Sequence, residues 1–120
     1  MTRILFVEDD EYIREIYQLR LAKQFKAEVV CASSGKKAIA ILKADTNFDV
    51  IISDYSMPDG LGIEVLGFKL SNSIDCPFIF FTNTFEPEIP FERNTYVEVV
   101  EKGKFDMLCQ SVSLVIGKKL

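Results

Sequence analysis

Short apolar runs alternate with stretches of helical period along this chain, and that alternation restricts its fold more than any other feature. The first run, 4–7 (Ile-Leu-Phe-Val), breaks off at Glu8-Asp9-Asp10. Over 11–24, Ile13, Ile16, Tyr17 and Leu21 recur at helical spacing, which predicts one buried stripe with Arg14, Gln18 and Lys23 outside. Residues 27–32 carry the β-favouring centre Val29-Val30-Cys31. Ser33-Ser34-Gly35 then offers a cap for a helix through Ala44 with Ala38, Ile41 and Leu42 on one face. The continuous apolar run 48–53 suits a central strand covered on both faces, and it ends at Asp54.

The second half keeps the rhythm. A turn-rich stretch, Ser56-Met57-Pro58-Asp59-Gly60, precedes a helix from Gly62 to about Leu70, and Cys76-Pro77 leads into a strand over 78–81. Between Thr82 and Thr95 stand Pro87 and Pro90. Proline inside a helix costs about 3 kcal/mol, so a fourth helix is expected to be short or irregular. Residues 96–100 read as a fifth strand and 104–118 as a closing helix, with Phe105, Leu108, Val112 and Val115 inward. Such alternation builds βα units around an open parallel sheet with helices on both faces. With no repeat or linker in view, 1–120 is expected to be a single domain.

Composition narrows the chemistry. Histidine is absent, which removes His-based zinc sites and Ser/His or Cys/His nucleophilic pairs. Cys31, Cys76 and Cys109 are odd in number and set among apolar neighbours, as reduced core thiols would be. The net charge is −4, and no basic cluster exceeds the pairs Lys36-Lys37 and Lys118-Lys119, so direct nucleic-acid binding is not expected. No segment approaches the roughly 20 apolar residues that span a bilayer, and the opening run is too short for a signal peptide. A cytoplasmic protein without membrane contact is the expectation.

Strands of an open parallel sheet deliver their C-terminal ends to one edge, where ligands bind. Here those ends carry Glu8-Asp9-Asp10, Asp54, Thr82 and Lys102. An acidic triplet alone is most simply a solvated helix start, and a lone lysine is usually a surface residue. Gathered at one edge they mean more. Carboxylates brought together repel unless a hard divalent cation such as magnesium holds them. One carboxylate can then act as a nucleophile toward phosphorus while the metal, a lysine and a hydroxyl stabilise charge on the phosphoryl oxygens. Asp54 is the best acceptor. Phe78, Phe80 and Phe81 read as sheet core rather than a stacking platform, because no basic groove accompanies them. Gly60-Leu61-Gly62 lacks the third glycine of a dinucleotide fingerprint, with Val65 in its place.

Val7-Glu8-Asp9-Asp10, Asp54-Tyr55-Ser56-Met57-Pro58 with Gly62, and Phe80-Phe81-Thr82 resemble, in order, the motifs of the response-regulator receiver family. The resemblance spans nearly the whole chain. It implies a flavodoxin-like, doubly wound five-stranded sheet of order 2-1-3-4-5 and a phosphoacceptor module of two-component signalling. It makes Asp54 the phosphorylated residue, Asp9 a direct magnesium ligand, Glu8 a ligand through metal-bound water and Ser56 a donor through its backbone carbonyl. Thr82 and Lys102 would each meet a phosphoryl oxygen, and Asp10 would open the first helix. The implied partners are a sensor histidine kinase or histidine phosphotransfer protein as donor and a downstream protein as target.

Three positions depart from the family pattern. Gly103 stands where proline commonly follows the lysine, leaving Lys104 as an alternative for that role; Val99 replaces the usual switch aromatic, with Tyr96 nearby; and Asn83 replaces a small residue. A receiver-like scaffold indifferent to phosphorylation is therefore the second expectation. An aspartate-nucleophile phosphatase would need an acid/base carboxylate where Ser56 stands, so a module limited to self-phosphotransfer and autodephosphorylation, not an enzyme with turnover, is expected. With the chain stopping at Leu120, signalling by docking rather than through an attached effector is the reading.

Overall fold

In the computed structural model, which describes residues 1–117, the elements run β1 (Thr2–Val7), α1 (Glu11–Phe25), β2 (Ala27–Ala32), α2 (Gly35–Ala44), β3 (Val50–Ser53), α3 (Gly62–Ser71), β4 (Phe78–Thr82), a 3-10 turn η1 (Arg93–Thr95), β5 (Glu98–Glu101) and α4 (Phe105–Gly117). All strands pair parallel, in the order β2-β1-β3-β4-β5. The flavodoxin-like, doubly wound arrangement expected from the sequence is thus the one observed.

Strand periodicity of two divides the core into two layers. Leu5, Val7, Ile51, Phe78 and Phe80 face α2 and α3, where Ala38, Leu42, Val65 and Leu66 meet them. Ile4, Phe6, Val50, Ile52, Ile79 and Phe81 face the other way, onto Leu21 of α1 and Leu108, Val112 and Val115 of α4. Every residue of β3 and β4 is buried, which explains why these strands read as unbroken apolar runs. Asp10 caps α1, its side chain accepting from the Ile13 amide at 3.0 Å; Ser34 caps α2 in the same way through the Lys37 amide at 3.1 Å.

The phase of α1 differs from the expected stripe. Leu21 is fully buried and Tyr17, Ala22 and Phe25 pack beside it, but Ile16 is exposed and Ile13 only half-buried. Ile16 is one residue, hence about 100° of helix, from Tyr17, and the inward face centres on the 17-21-25 row. Arg14, expected outside, is half-buried because its guanidinium donates to the Glu8 carbonyl at 2.9 Å and the Asp9 carbonyl at 3.3 Å.

The starts of β3 and β5 also move inward from the expected 48 and 96. β3 starts at Val50, although Phe48 is buried under the Arg3 guanidinium. β5 starts at Glu98, because Arg93 folds back to donate to the Tyr96 and Val97 carbonyls at 2.8 and 3.0 Å. Between β4 and β5 no α-helix forms, and η1 is the only regular turn there. Glu86, directly before Pro87, sits at φ 44°, outside the right-handed region that proline denies its predecessor. The cysteines are free thiols, but only Cys76 is fully buried. The expected helix over 104–118 is present as far as Gly117, and Lys118 lies outside the described residues.

Candidate functional site at the strand ends

Register carries the acidic residues together. Val7 lies opposite Ser53, so β1 and β3 end level and deliver Glu8 and Asp54 side by side. The Asp54 amide donates to the Val7 carbonyl and the Glu8 amide to the Ala32 carbonyl, both at 3.0 Å, tying the two residues after the strands to their neighbours. Thr82 lies opposite Glu101, and the Lys102 amide donates to the Thr82 carbonyl at 3.1 Å. That contact settles which lysine reaches the edge.

Lys102 Nζ lies 2.6 Å from Asp54 Oδ2 and 2.7 Å from Glu8 Oε1. Glu8 is 1% exposed and Asp54 6%, so both pairings are largely shielded from water. Lys104, the alternative, is exposed and among the described residues pairs with Glu101, at 3.9 Å. The remaining oxygens of the buried pair also have partners. Glu8 Oε2 accepts from the Asp10 amide at 3.0 Å, and Asp54 Oδ1 from the amides of Tyr55 at 2.7 Å and Ser56 at 3.4 Å.

The electrostatics follow from burial. Desolvation raises the Glu8 carboxyl above its ordinary range, and the nearby Asp54 charge adds to this, against the opposing pull of Lys102 and the Asp10 amide. Burial works against the Lys102 ammonium too, yet its hydrogen bonds to Asp54 and Glu8 outweigh that and raise its pKa. The lysine is thereby held charged while the buried glutamate is the strained partner.

Glu8, Asp9 and Asp54 each offer a carboxylate oxygen within 4.8 Å of the other two. Two ligands about 2.1 Å from one ion stand at most about 4.2 Å apart, so the set fits a magnesium ion with one carboxylate acting directly or through a bound water. Three carboxylates against one ammonium leave two negative charges, matching a divalent cation. Asp9 is exposed and marks the solvent side. Asp9 and Asp54, with Glu8 behind, are the residues that could hold the ion.

Thr82 is buried beside this cluster at the end of β4, and its hydroxyl is turned to Thr84, whose hydroxyl lies at 3.2 Å and whose amide donates to it at 3.1 Å. Ser56 is exposed on the loop after the acceptor. Sequence reasoning missed Thr84, which occupies the Thr82 hydroxyl, and Tyr55, whose Oη donates to the Glu88 carbonyl at 2.7 Å. Neither contact leaves a local signal, since both are made by the irregular segment. The loop carrying Asp54 is also clasped from α2. The Gly35 and Lys36 amides donate to the Gly60 and Asp59 carbonyls at 3.1 and 3.2 Å, and a Cβ on Gly35 would stand 2.3 Å from the Gly60 oxygen. Gly60 itself has φ 97°, a conformation glycine adopts without cost.

Comparison with known proteins agrees with this geometry. The family model described as the response regulator receiver domain matches residues 4–109. Regulatory protein AtoC of Escherichia coli K12 is 32% identical over 114 residues, covering 95% of this chain and 23% of that protein. "Probable histidine kinase 3" of rice (Oryza sativa subsp. japonica) is 42% identical over 60 residues, 50% of this chain and 6% of that protein. The chain thus spans under a quarter of the length of either relative. Among solved structures, the response regulator TrrA of Thermotoga maritima, crystallised in complex with Mg(2+)-BeF, superposes with a TM-score of 0.85 at 29% identity, covering 96% of this chain and 99% of that one. With its family motifs at the ends of a sheet in the family's order, the chain belongs to the response regulator receiver domains of two-component systems.

Proposed function

We propose that Asp54 accepts a phosphoryl group in a magnesium-dependent reaction from a sensor histidine kinase or a histidine phosphotransfer protein, and that the change alters docking to a downstream protein target. The observation that carries this reading is the half-buried Lys102 ammonium held at 2.6 Å from Asp54, beside the acidic set that fits a divalent ion. In the transfer, an Asp54 oxygen attacks phosphorus, the P–N bond to the donor imidazole breaks, and its electron pair leaves with the imidazole nitrogen. A magnesium ion held by Asp9 and Asp54, with Glu8 through water and the Ser56 backbone carbonyl, would supply neutralisation of the phosphoryl oxygens. Lys102 is placed to pass from the carboxylate to a phosphoryl oxygen as a compact point charge. For Thr82 to meet another, its hydroxyl must leave Thr84, which couples modification to the segment after β4. The cytoplasm is the proposed location, and the chemistry is self-phosphotransfer and autodephosphorylation without turnover of a separate substrate.

Incubation with acetyl phosphate and magnesium should add one phosphoryl group to the intact protein, detected by mass, and none to Asp54→Asn. A wild-type chain that stays unmodified, or a variant that is modified equally, contradicts the assignment.

One observation favours a second reading, a docking module indifferent to phosphorylation. Val99 lacks a switch aromatic's ring, and the Tyr96 ring is already packed edge-on against Phe80 with centroids 5.5 Å apart. Equal affinity of a captured partner for the apo and beryllofluoride-bound forms would select it, since a modification without differential affinity shifts no equilibrium.

A further inference from the structure

The turn 8–10, which carries two of the three acidic residues of the site, is anchored at its ends and loose in its middle. The Glu8 amide donates to the Ala32 carbonyl at 3.0 Å, and the Asp10 amide donates to Glu8 Oε2 at 3.0 Å. Asp9 between them is exposed, and among the described residues its carboxylate accepts no hydrogen bond. Only its own backbone places that side chain.

Arg14 reaches this backbone from α1. Side chains on a helix tilt toward its N-terminus, and Arg14, whose amide donates to the Asp10 carbonyl at 2.9 Å, stands one turn past the cap. Its half-buried side chain runs back over the first turn, where a single nitrogen, Nη1, donates to the Glu8 carbonyl at 2.9 Å and to the Asp9 carbonyl at 3.3 Å. What it leaves alone is equally informative. Glu8, Asp9, Asp10 and Glu11 are all close in sequence, yet among the described residues no ion pair joins Arg14 to a carboxylate. A cation paired with Asp9 would compete with a metal ion for the same oxygens, whereas a cation on the carbonyls leaves those oxygens available. Lys102 has the other task, lying directly against the carboxylates of Glu8 and Asp54.

We propose that Arg14 is a positioning residue for magnesium, holding the backbone of Glu8 and Asp9 so that their carboxylates stand within reach of Asp54 before the ion arrives. This rests on the magnesium-dependent reading above and extends it to a residue outside the acidic set. A turn ordered in advance spares the ion the cost of ordering it, which is a gain in affinity. Charge alone predicts the opposite sign. A guanidinium near a divalent cation repels it, so removing the charge with no change in the turn would tighten magnesium binding.

Isothermal titration of magnesium into the metal-stripped full chain separates the two signs. Arg14→Met, which keeps an aliphatic stem but no donor, should bind magnesium about tenfold more weakly, the low end of what losing an outer contact to a metal ligand costs. Arg14→Lys should recover most of the affinity, because both hydrogen bonds come from one nitrogen. Without metal, amide exchange at Asp9 and Asp10 should quicken in Arg14→Met. Phosphoryl uptake from acetyl phosphate should need more magnesium for half-saturation yet reach the wild-type plateau, since a defect exerted through the metal is overcome by more metal. Should circular dichroism show that Arg14→Met does not fold, Arg14→Gln, whose amide stops short of the carbonyls, takes its place in each measurement. Equal or tighter magnesium binding by the variant, no recovery with lysine, or a lowered plateau at unchanged half-saturation overturns the inference and leaves the proposed function standing. A wild-type chain that binds no magnesium overturns both.

Discussion

Replacing Lys102 by methionine removes the cation that lies against two buried carboxylates, and the structure sets the scale of the consequence. Glu8 and Asp54, 1% and 6% exposed, lose contacts of 2.7 and 2.6 Å, while the methionine fills similar volume. Removing one partner of a buried pair costs about 3–5 kcal/mol, because the other charge is left uncompensated. Here two charges are left, with Asp9 adding a third nearby, so at neutral pH with chelator the upper part of that range is expected. The loss should depend on pH. Glu8 already has a raised folded-state pKa through burial, and Lys102 is among the groups lowering it, so the variant raises it further. A carboxyl whose pKa is higher folded than unfolded binds more protons in the folded state. Its stabilising effect is therefore complete below the ordinary carboxylate range and fades as pH rises through the raised value. Acidification toward that range should restore much of the variant's stability. Magnesium should restore it at neutral pH by supplying the missing charge, by about 2.7 kcal/mol at a hundred times its dissociation constant. Urea unfolding followed by circular dichroism, with chelator or magnesium at several pH values, measures each effect. A variant as stable as wild type in chelator at neutral pH, or indifferent to magnesium, refutes the reasoning.

Gly35→Ala forces the α2 start away from the Gly60 carbonyl, a backbone clash that cannot be relieved by rotamer change; a loss of about 1–3 kcal/mol in urea unfolding is expected, together with weaker magnesium binding, because the displaced loop is the one carrying Asp54 and Ser56. Tyr55→Phe removes the hydrogen bond to the Glu88 carbonyl, at about 0.5–1.5 kcal/mol; faster amide exchange over 88–91 should accompany it, while exchange in β1 should not change.

The parts of this molecule legible in its sequence are those where a local pattern and the global packing coincide. β3 and β4 are buried on both faces, so their apolar runs stand out and their ends point to Asp54 and Thr82. The Ser34 and Asp10 caps are local hydrogen bonds and read directly from residue type. Helix phase was less legible: Ile13 and Ile16 match the period of α1, but the inward row is decided by how α1 lies on the sheet, which Tyr17, stacked on Phe105 and edge-on to Phe81, reports. The choice between Lys102 and Lys104 rests on the β4–β5 register and on the Lys102 amide reaching Thr82, neither of which spacing alone supplies. Pro87 and Pro90 forbid a regular helix but do not say where the chain goes instead. That is set by contacts far apart in sequence, Tyr55 to Glu88 and Gly67 to Phe91.

The most direct measurement of the central claim is amide NMR of the full chain, titrated first with magnesium and then with beryllofluoride. Magnesium should shift Glu8, Asp9 and 54–57, and beryllofluoride should then move Thr82, Thr84 and Lys102, with both responses absent in Asp54→Asn. A magnesium response centred on the glutamates of 86–101, or no beryllofluoride response at Thr82 and Lys102, would contradict a single pocket built on Asp54.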